Sequence, residues 1–146
     1  MEEIFLFCDG GSLKNPGPAA IGVLIKYKKG NEWQKKEYKK FIGHATNNQA
    51  EYQAVIFGLE KIKEIFGKKK IKSFFVKVFT DSQLLCNQMA GKWKISKKEL
   101  QPLFLKLWNL KIDFGKVEFI FQKRENQKSV DKLVKEVLKN YENYRG

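Results

Sequence analysis

Histidine occurs once and cysteine twice in this chain, which removes several chemistries at the outset. His44 lacks the acidic and nucleophilic partners of a hydrolytic triad and reads as a loop residue without a chemical role. Cys8 sits inside an apolar run and Cys86 inside a helix-like segment. So placed, they offer neither the paired spacing of a zinc site nor the density of a disulfide scaffold, and both read as ordinary buried thiols. Long apolar runs are missing too: the longest, residues 4–8 and 74–79, fall far short of the ~20 residues that span a bilayer. Met1-Glu2-Glu3 has no basic start of a signal peptide. The expectation is a soluble, intracellular, cytoplasmic protein without a membrane partner or an obligate protein partner. Prolines number only three, and no linker, internal repeat or low-complexity stretch divides the 146 residues. One domain over 1–146 is expected.

Acid is the other scarcity. Lys and Arg outnumber Asp and Glu 29 to 16, a formal net charge of +13. The excess fits either a polyanionic partner or a lysine-rich solubilising surface, and charge alone does not separate them. Lysines gather at 26–40, 61–72 and 92–98, and only a cluster near a chemical centre would form a specific track.

What is plentiful is apolar material: 42% of residues, with twelve Phe and three Trp, enough for one core. The run 4–8 ends at Asp9-Gly10-Gly11, as expected of a central strand buried on both faces that stops at a sharp turn. Residues 19–27 read as a second strand, followed by a turn at Gly30-Asn31 and a poorly alternating strand over 33–42. Thr46-Asn47-Asn48-Gln49 has the form of a capping box. It opens a helix to about Phe66 with Tyr52, Val55, Leu59, Ile62 and Phe66 on its core face. A strand over 73–80 ends at Asp81-Ser82; a short helix through Met89, a helix over 99–110 and a strand over 117–121 follow. The last helix, 129–141, turns Val130, Leu133, Val134, Val137, Leu138 and Tyr141 inward. This order predicts an α/β fold with a mixed five-stranded sheet and helices on both faces.

Asp9 and Asp81 fall at the carboxyl ends of apolar strands, where open α/β sheets place ligands. Glu51 lies early in the first long helix on a stripe with Ala54 and Gly58, small enough to approach a sheet closely, and Asp131 opens the last helix. Each alone is explained by helix capping. Together they would repel one another and raise each other's pKa unless cations bind there. Hard carboxylate oxygens suit magnesium, and two such ions about 3.5–4 Å apart can activate water and stabilise a leaving oxygen at a phosphodiester.

Four stretches then carry a resemblance: Asp9-Gly-Gly-Ser-Leu-Lys-Asn-Pro-Gly-Pro-Ala-Ala-Ile-Gly, Thr46-Asn-Asn-Gln-Ala-Glu-Tyr, Phe79-Thr-Asp-Ser-Gln, and Arg124-Glu-Asn followed by Asp131. In this order they resemble the ribonuclease H family, specifically the compact single-domain type 1 enzymes of archaea and bacteria. The resemblance implies a ribonuclease H-like fold and an endonuclease that hydrolyses the RNA strand of RNA/DNA hybrids, leaving 5′-phosphate and 3′-hydroxyl ends. It also implies catalytic, metal-holding Asp9, Glu51, Asp81 and Asp131, with Asp9 bridging two Mg²⁺ ions or Mn²⁺ in their place. Asn15, Thr46, Asn47 and Asn48 match positions that contact the hybrid, and short polar side chains there suit the 2′-hydroxyl as well as turns and caps. Trp93 matches a position near the DNA strand, with a core role open beside it, and Lys92, Lys94, Lys97 and Lys98 are the candidates for its phosphates.

Departures from the family pattern are equally specific. Only residues 95–99 follow Lys94 before Leu100, where larger relatives insert a basic helix. The loop 122–128 holds no histidine where many relatives have one, which leaves Glu125 as the candidate to take its part. The spacing from Asn126 to Asp131 is one residue longer than the pattern. With Asp9 so near the start, no appended hybrid-binding domain is expected. Two other readings stay open: a binding module without turnover, and a related nuclease acting on DNA junctions or transposon ends.

Overall fold

The computed structural model describes residues 2–141. Three long strands come first: β1 (Glu2–Ser12), β2 (Gly17–Lys29) and β3 (Glu32–Ala45). They form an antiparallel meander. Gly30, at φ 65°, supplies the positive dihedral that a two-residue hairpin turn needs at its first position. Helix α1 (Asn47–Phe66) crosses to β4 (Phe74–Thr80), which lies parallel to β1. After α2 (Gln83–Met89) and α3 (Gln101–Ile112), β5 (Lys116–Phe121) adds in parallel beside β4, and α4 (Lys128–Lys139) follows. The sheet order is β3-β2-β1-β4-β5.

Successive strand residues point to opposite faces, so neighbouring glycines show which helix covers which side. A Cβ on Gly10 would lie 2.3 Å from the Ala50 carbonyl oxygen of α1, and one on Gly11 would meet Val134 of α4. Helices therefore cover both faces. The main core lies under α1, where Leu6, Val23, Val55, Leu59, Val76 and Val78 are buried. Glycine 58 permits this approach, since a Cβ there would stand 2.7 Å from Leu6 Cδ1. The close contact expected of the Ala54/Gly58 stripe is realised.

Several sequence expectations are corrected. β1 does not stop at Asp9-Gly10-Gly11 but runs on to Ser12, because β2 keeps pairing with it as far as Ser12 opposite Ala19. What ends near Asp9 is the pairing with β4, whose last partners are Phe7 and Phe79. His44 is not a loop residue: it lies on β3, exposed, opposite Pro18. β3 alternates poorly because it is an edge strand whose Lys and Glu side chains face solvent, which also guards the edge against pairing with other chains. Cys86 is half-buried rather than buried. Tyr141 lies past the end of α4 yet still stacks on Phe41, ring centroids 6.2 Å apart.

The two glycine contacts should respond differently to alanine. Gly58→Ala gains about 1 kcal/mol of helix propensity against the displacement of a flexible Leu6 tip, for a net change within about 1 kcal/mol. Gly10→Ala drives a Cβ into backbone and should cost upwards of about 2–3 kcal/mol. Urea unfolding of both variants is the check, and equal midpoints would refute this account of the α1–β1 contact.

Candidate active site

Three carboxylates converge where β1 and β4 part. Asp9, Glu51 and Asp81 each place an oxygen within 4.8 Å of the other two. Asp9 and Glu51 are almost fully buried, 5% and 7% exposed, although each bears an ionisable carboxyl. Glu51 is fixed from two sides: its Oε1 accepts from Gly10 N (3.0 Å) and its Oε2 from Thr80 Oγ1 (3.2 Å). Thr80 Oγ1 in turn accepts from Ser82 N (3.2 Å), and Ser82 caps α2 by accepting from Leu85 N (3.1 Å). The backbone of the β4–α2 turn thus holds Asp81 beside Glu51.

These groups resist ionisation together. Burial, then the charges of Asp81 and Asp131, push the Asp9 carboxyl from 3.8 up to about 7, against the pull of Arg124. Glu51 is driven well above the usual carboxylate range by burial and by Asp9 and Asp81, with the Gly10 N–H opposing. Burial also raises both thiols, Cys8 strongly and Cys86 to about 11, so neither is a nucleophile at neutral pH. A cluster of hard oxygen donors that cannot all be charged alone fits a divalent cation, whose charge would reverse the penalty.

Asp131 lines the same cleft, a cavity of about 560 Å³, but falls outside the close triad. Lys135 Nζ lies 2.9 Å from one of its oxygens and Arg124 3.4 Å from the other. Partial burial pulls its pKa upward, but hydrogen bonds and charge from Lys135 and Arg124 outweigh that and hold it below the ordinary value. Arg124 therefore enters the cleft from the loop where Glu125 was expected; Glu125 is exposed and absent from the cleft lining. Sequence reasoning missed Arg124 and Lys135, although Lys135 stands one helical turn after Asp131 and was readable as its partner.

Of the polar residues expected to meet substrate, Asn47 and Asn48 line the cleft, while Asn15 and Thr46 stand beside them outside its lining. Asn47 Oδ1 accepts from Ser12 N (2.9 Å) and Ser12 Oγ (3.0 Å), and Asn15 Oδ1 accepts from Asn47 N (3.0 Å). Thr46 and Gln49 form the reciprocal capping box, at 3.1 and 2.8 Å. Trp93 is 49% exposed, which removes the core alternative. Its segment is tied down by Gln88, which accepts from Tyr52 Oη (2.6 Å) and donates to the Lys94 carbonyl (3.1 Å). Lys92, Lys94, Lys97 and Lys98 are exposed on this segment, outside the cleft lining.

Fold and acids define a class: an α/β protein with a carboxylate cluster for divalent cations at the split of a mixed sheet. A family model described as reverse transcriptase-like matches residues 7–137. A ribonuclease H of Caldicellulosiruptor saccharolyticus is 32% identical over 142 residues, covering 91% of this chain and 89% of that protein. A bifunctional protein of Mycobacterium tuberculosis is 30% identical over 136 residues, 93% of this chain but 35% of its own length. The chain thus spans about a third of that curated relative. The crystal structure of LC11-RNase H1 in complex with an RNA/DNA hybrid superposes with a TM-score of 0.85 at 37% identity, covering 94% of this chain and 98% of that one. The chain belongs to the ribonuclease H family.

A carboxyl whose pKa is raised on folding destabilises the fold above its unfolded value, with the penalty complete only above the folded value. For Asp9 that window runs from 3.8 to about 7. Asp9→Asn should therefore raise the melting temperature of the chelator-treated protein at pH 7.5 by several degrees, a gain on the order of a few kcal/mol. The gain should vanish near pH 4. Thermal melts of both proteins at the two pH values test this; a variant that melts lower at pH 7.5 would show that Asp9 holds structure.

Proposed function

We propose that this protein is an endonuclease that hydrolyses the RNA strand of an RNA/DNA hybrid with two Mg²⁺ ions, Mn²⁺ serving in their place, and leaves 5′-phosphate and 3′-hydroxyl ends. The observation that carries this reading is the Asp9-Glu51-Asp81 cluster, two of its carboxylates buried, opening into a cleft walled by Asn47, Asn48 and Arg124. In this reading residues 1–146 form a single ribonuclease H domain. Asp9, Glu51 and Asp81 would hold the ions, and Asp131, here paired with Lys135 and Arg124, would join them as the fourth carboxylate. When bound, the ions supply activation of the attacking water and neutralisation of the leaving oxygen.

The chain's own groups do the rest. Gly10 N–H and Thr80 Oγ1 keep Glu51 aimed into the cluster. Arg124 and Lys135 set positive charge beside the path of the scissile phosphate. Asn15, Thr46, Asn47 and Asn48 form the corner that meets the hybrid, short polar groups there discriminating the 2′-hydroxyl. Trp93 packs on the DNA strand while Lys92, Lys94, Lys97 and Lys98 meet its phosphates. A cytoplasmic location suits such a substrate. Among the described residues no helix is long and apolar enough to cross a membrane.

End-labelled hybrid, duplex DNA, duplex RNA and single strands, each with Mg²⁺, Mn²⁺ or chelator, decide the matter. Cleavage of the hybrid's RNA strand with metal, lost in Asp9→Asn, is expected. Equal cutting of duplex DNA, full activity in chelator, or binding without turnover would each overturn the reading. Hybrid binding by Asp9→Asn should weaken with salt, log affinity falling by about 0.9 per phosphate contact for each decade. Replacing Lys94, Lys97 and Lys98 together by Gln should flatten that slope, and an unchanged slope would place the track elsewhere.

A further inference from the structure

Gln127 is polar, carries no charge, and is 1% exposed. Its side-chain amide donates to the carbonyls of Cys8 (3.1 Å) and Phe79 (3.0 Å). Those acceptors lie at a particular place: the β1–β4 register ends at Phe7 and Phe79, and the strands then part toward Asp9 and Asp81. Both N–H donors of the amide are committed to this gap, while its Oε1 has no partner among the described residues. The side chain thus acts as one more rung across the sheet where the ladder has stopped. Its backbone serves the fourth carboxylate, since the Gln127 carbonyl accepts from Asp131 N (3.0 Å) at the start of α4. One residue links the backbone beside Asp9, the strand end before Asp81, and the turn that carries Asp131.

We propose that Gln127 is a positioning residue that fixes the separation of Asp9 and Asp81 and thereby sets the preference of the site for Mg²⁺ over larger divalent cations. The inference rests on the metal-using reading given above. Its chemical basis is the difference in tolerance between the ions: Mg²⁺ demands near-ideal octahedral geometry at about 2.0–2.1 Å, whereas larger ions accept longer and less regular bonds. If the strand ends drift apart when the rung is removed, Mg²⁺ loses affinity first.

Gln127→Met keeps the length of the side chain and removes both donors; Gln127→Asn keeps the donors but is one methylene too short to span both carbonyls. Titration calorimetry of Mg²⁺ and Mn²⁺ into the metal-free proteins, with hybrid cleavage assayed in each metal, reads the effect. For Gln127→Met, Mg²⁺ binding should weaken by about tenfold or more, within the range typical for groups that orient metal ligands. Mn²⁺ binding should weaken by clearly less, and the ratio of Mg²⁺- to Mn²⁺-supported activity should fall with it. Gln127→Asn should lie between, and it carries the test by the same ratio if Gln127→Met does not fold. An unchanged ratio, with affinities for both ions shifted equally or not at all, overturns the proposal even if the melting temperature drops. Wild-type protein that neither binds metal nor cleaves hybrid would instead overturn the functional reading itself.

Discussion

Everything in this molecule is arranged around like charges that must share a dry space. Asp9 and Glu51 are taken out of water at the point where β1 leaves β4, with Asp81 beside them. Charging either carboxyl there is costly, and Asp9 rises to about 7 in consequence. The local structure follows from that demand. Position 10 has room for no side chain, so the α1 backbone can press on β1 and bring Glu51 to the strand. The Gly10 N–H and the Thr80 hydroxyl fix Glu51 at the contact. The parting of two parallel strands gives the carboxylates one face to approach from.

The fourth acid obeys the opposite rule. Asp131 sits at the start of α4, more open to solvent, with Lys135 and Arg124 on its two oxygens, and its pKa moves down while that of Asp9 moves up. The cleft therefore has a wall that stays anionic and a floor that ionises only in company. Under the proposed function, a divalent cation held there would favour loss of the protons on the floor and would compete with Lys135 and Arg124 for the wall. Arg124 and Lys135 both line the cleft, and under the proposed function, freeing them from Asp131 would leave positive charge beside an incoming phosphate.

Periodicity and punctuation made most of the fold legible: the five strands, the capping box at Thr46 and the amphipathic α4 all follow from residue pattern. The bounds that failed did so for physical reasons. The glycines at 10 and 11 looked like a turn, yet both lie within a continuing strand, and the one at 10 exists for helix approach, a tertiary demand that local sequence does not state. Strand β3 lost its alternation because an edge strand gains little by hiding one face. At the site, the carboxylates were legible from strand ends and helix starts. The roles of Arg124 and Gln127 were not, because an arginine beside a glutamate, or a glutamine between an asparagine and a lysine, carries its role only through what lies across the fold.

Composition, by contrast, overstated the binding surface. Many of the lysines behind the net charge of +13 are occupied by the protein itself. Lys26, Lys28, Lys77 and Lys116 lie over the rings of Phe7, Trp33, Phe5 and Phe75 on the sheet, 4.8–5.9 Å from their centroids. Lys61 lies over Tyr38 and Phe57 while Lys63 pairs with Asp113 at 2.7 Å. Such side chains lay their stems along apolar surface and keep their heads wet. Two of the three lysine clusters, 26–40 and 61–72, are therefore drawn on to cover aromatic rings and pair with acids. They still contribute to the long-range field that speeds encounter with a polyanion. The lysines of the third cluster, between Lys92 and Lys98, stay exposed on a short segment tied to the core through Gln88, and under the proposed function contact with phosphates falls to them. In that reading, a small foothold within a large positive field favours fast association over tight grip.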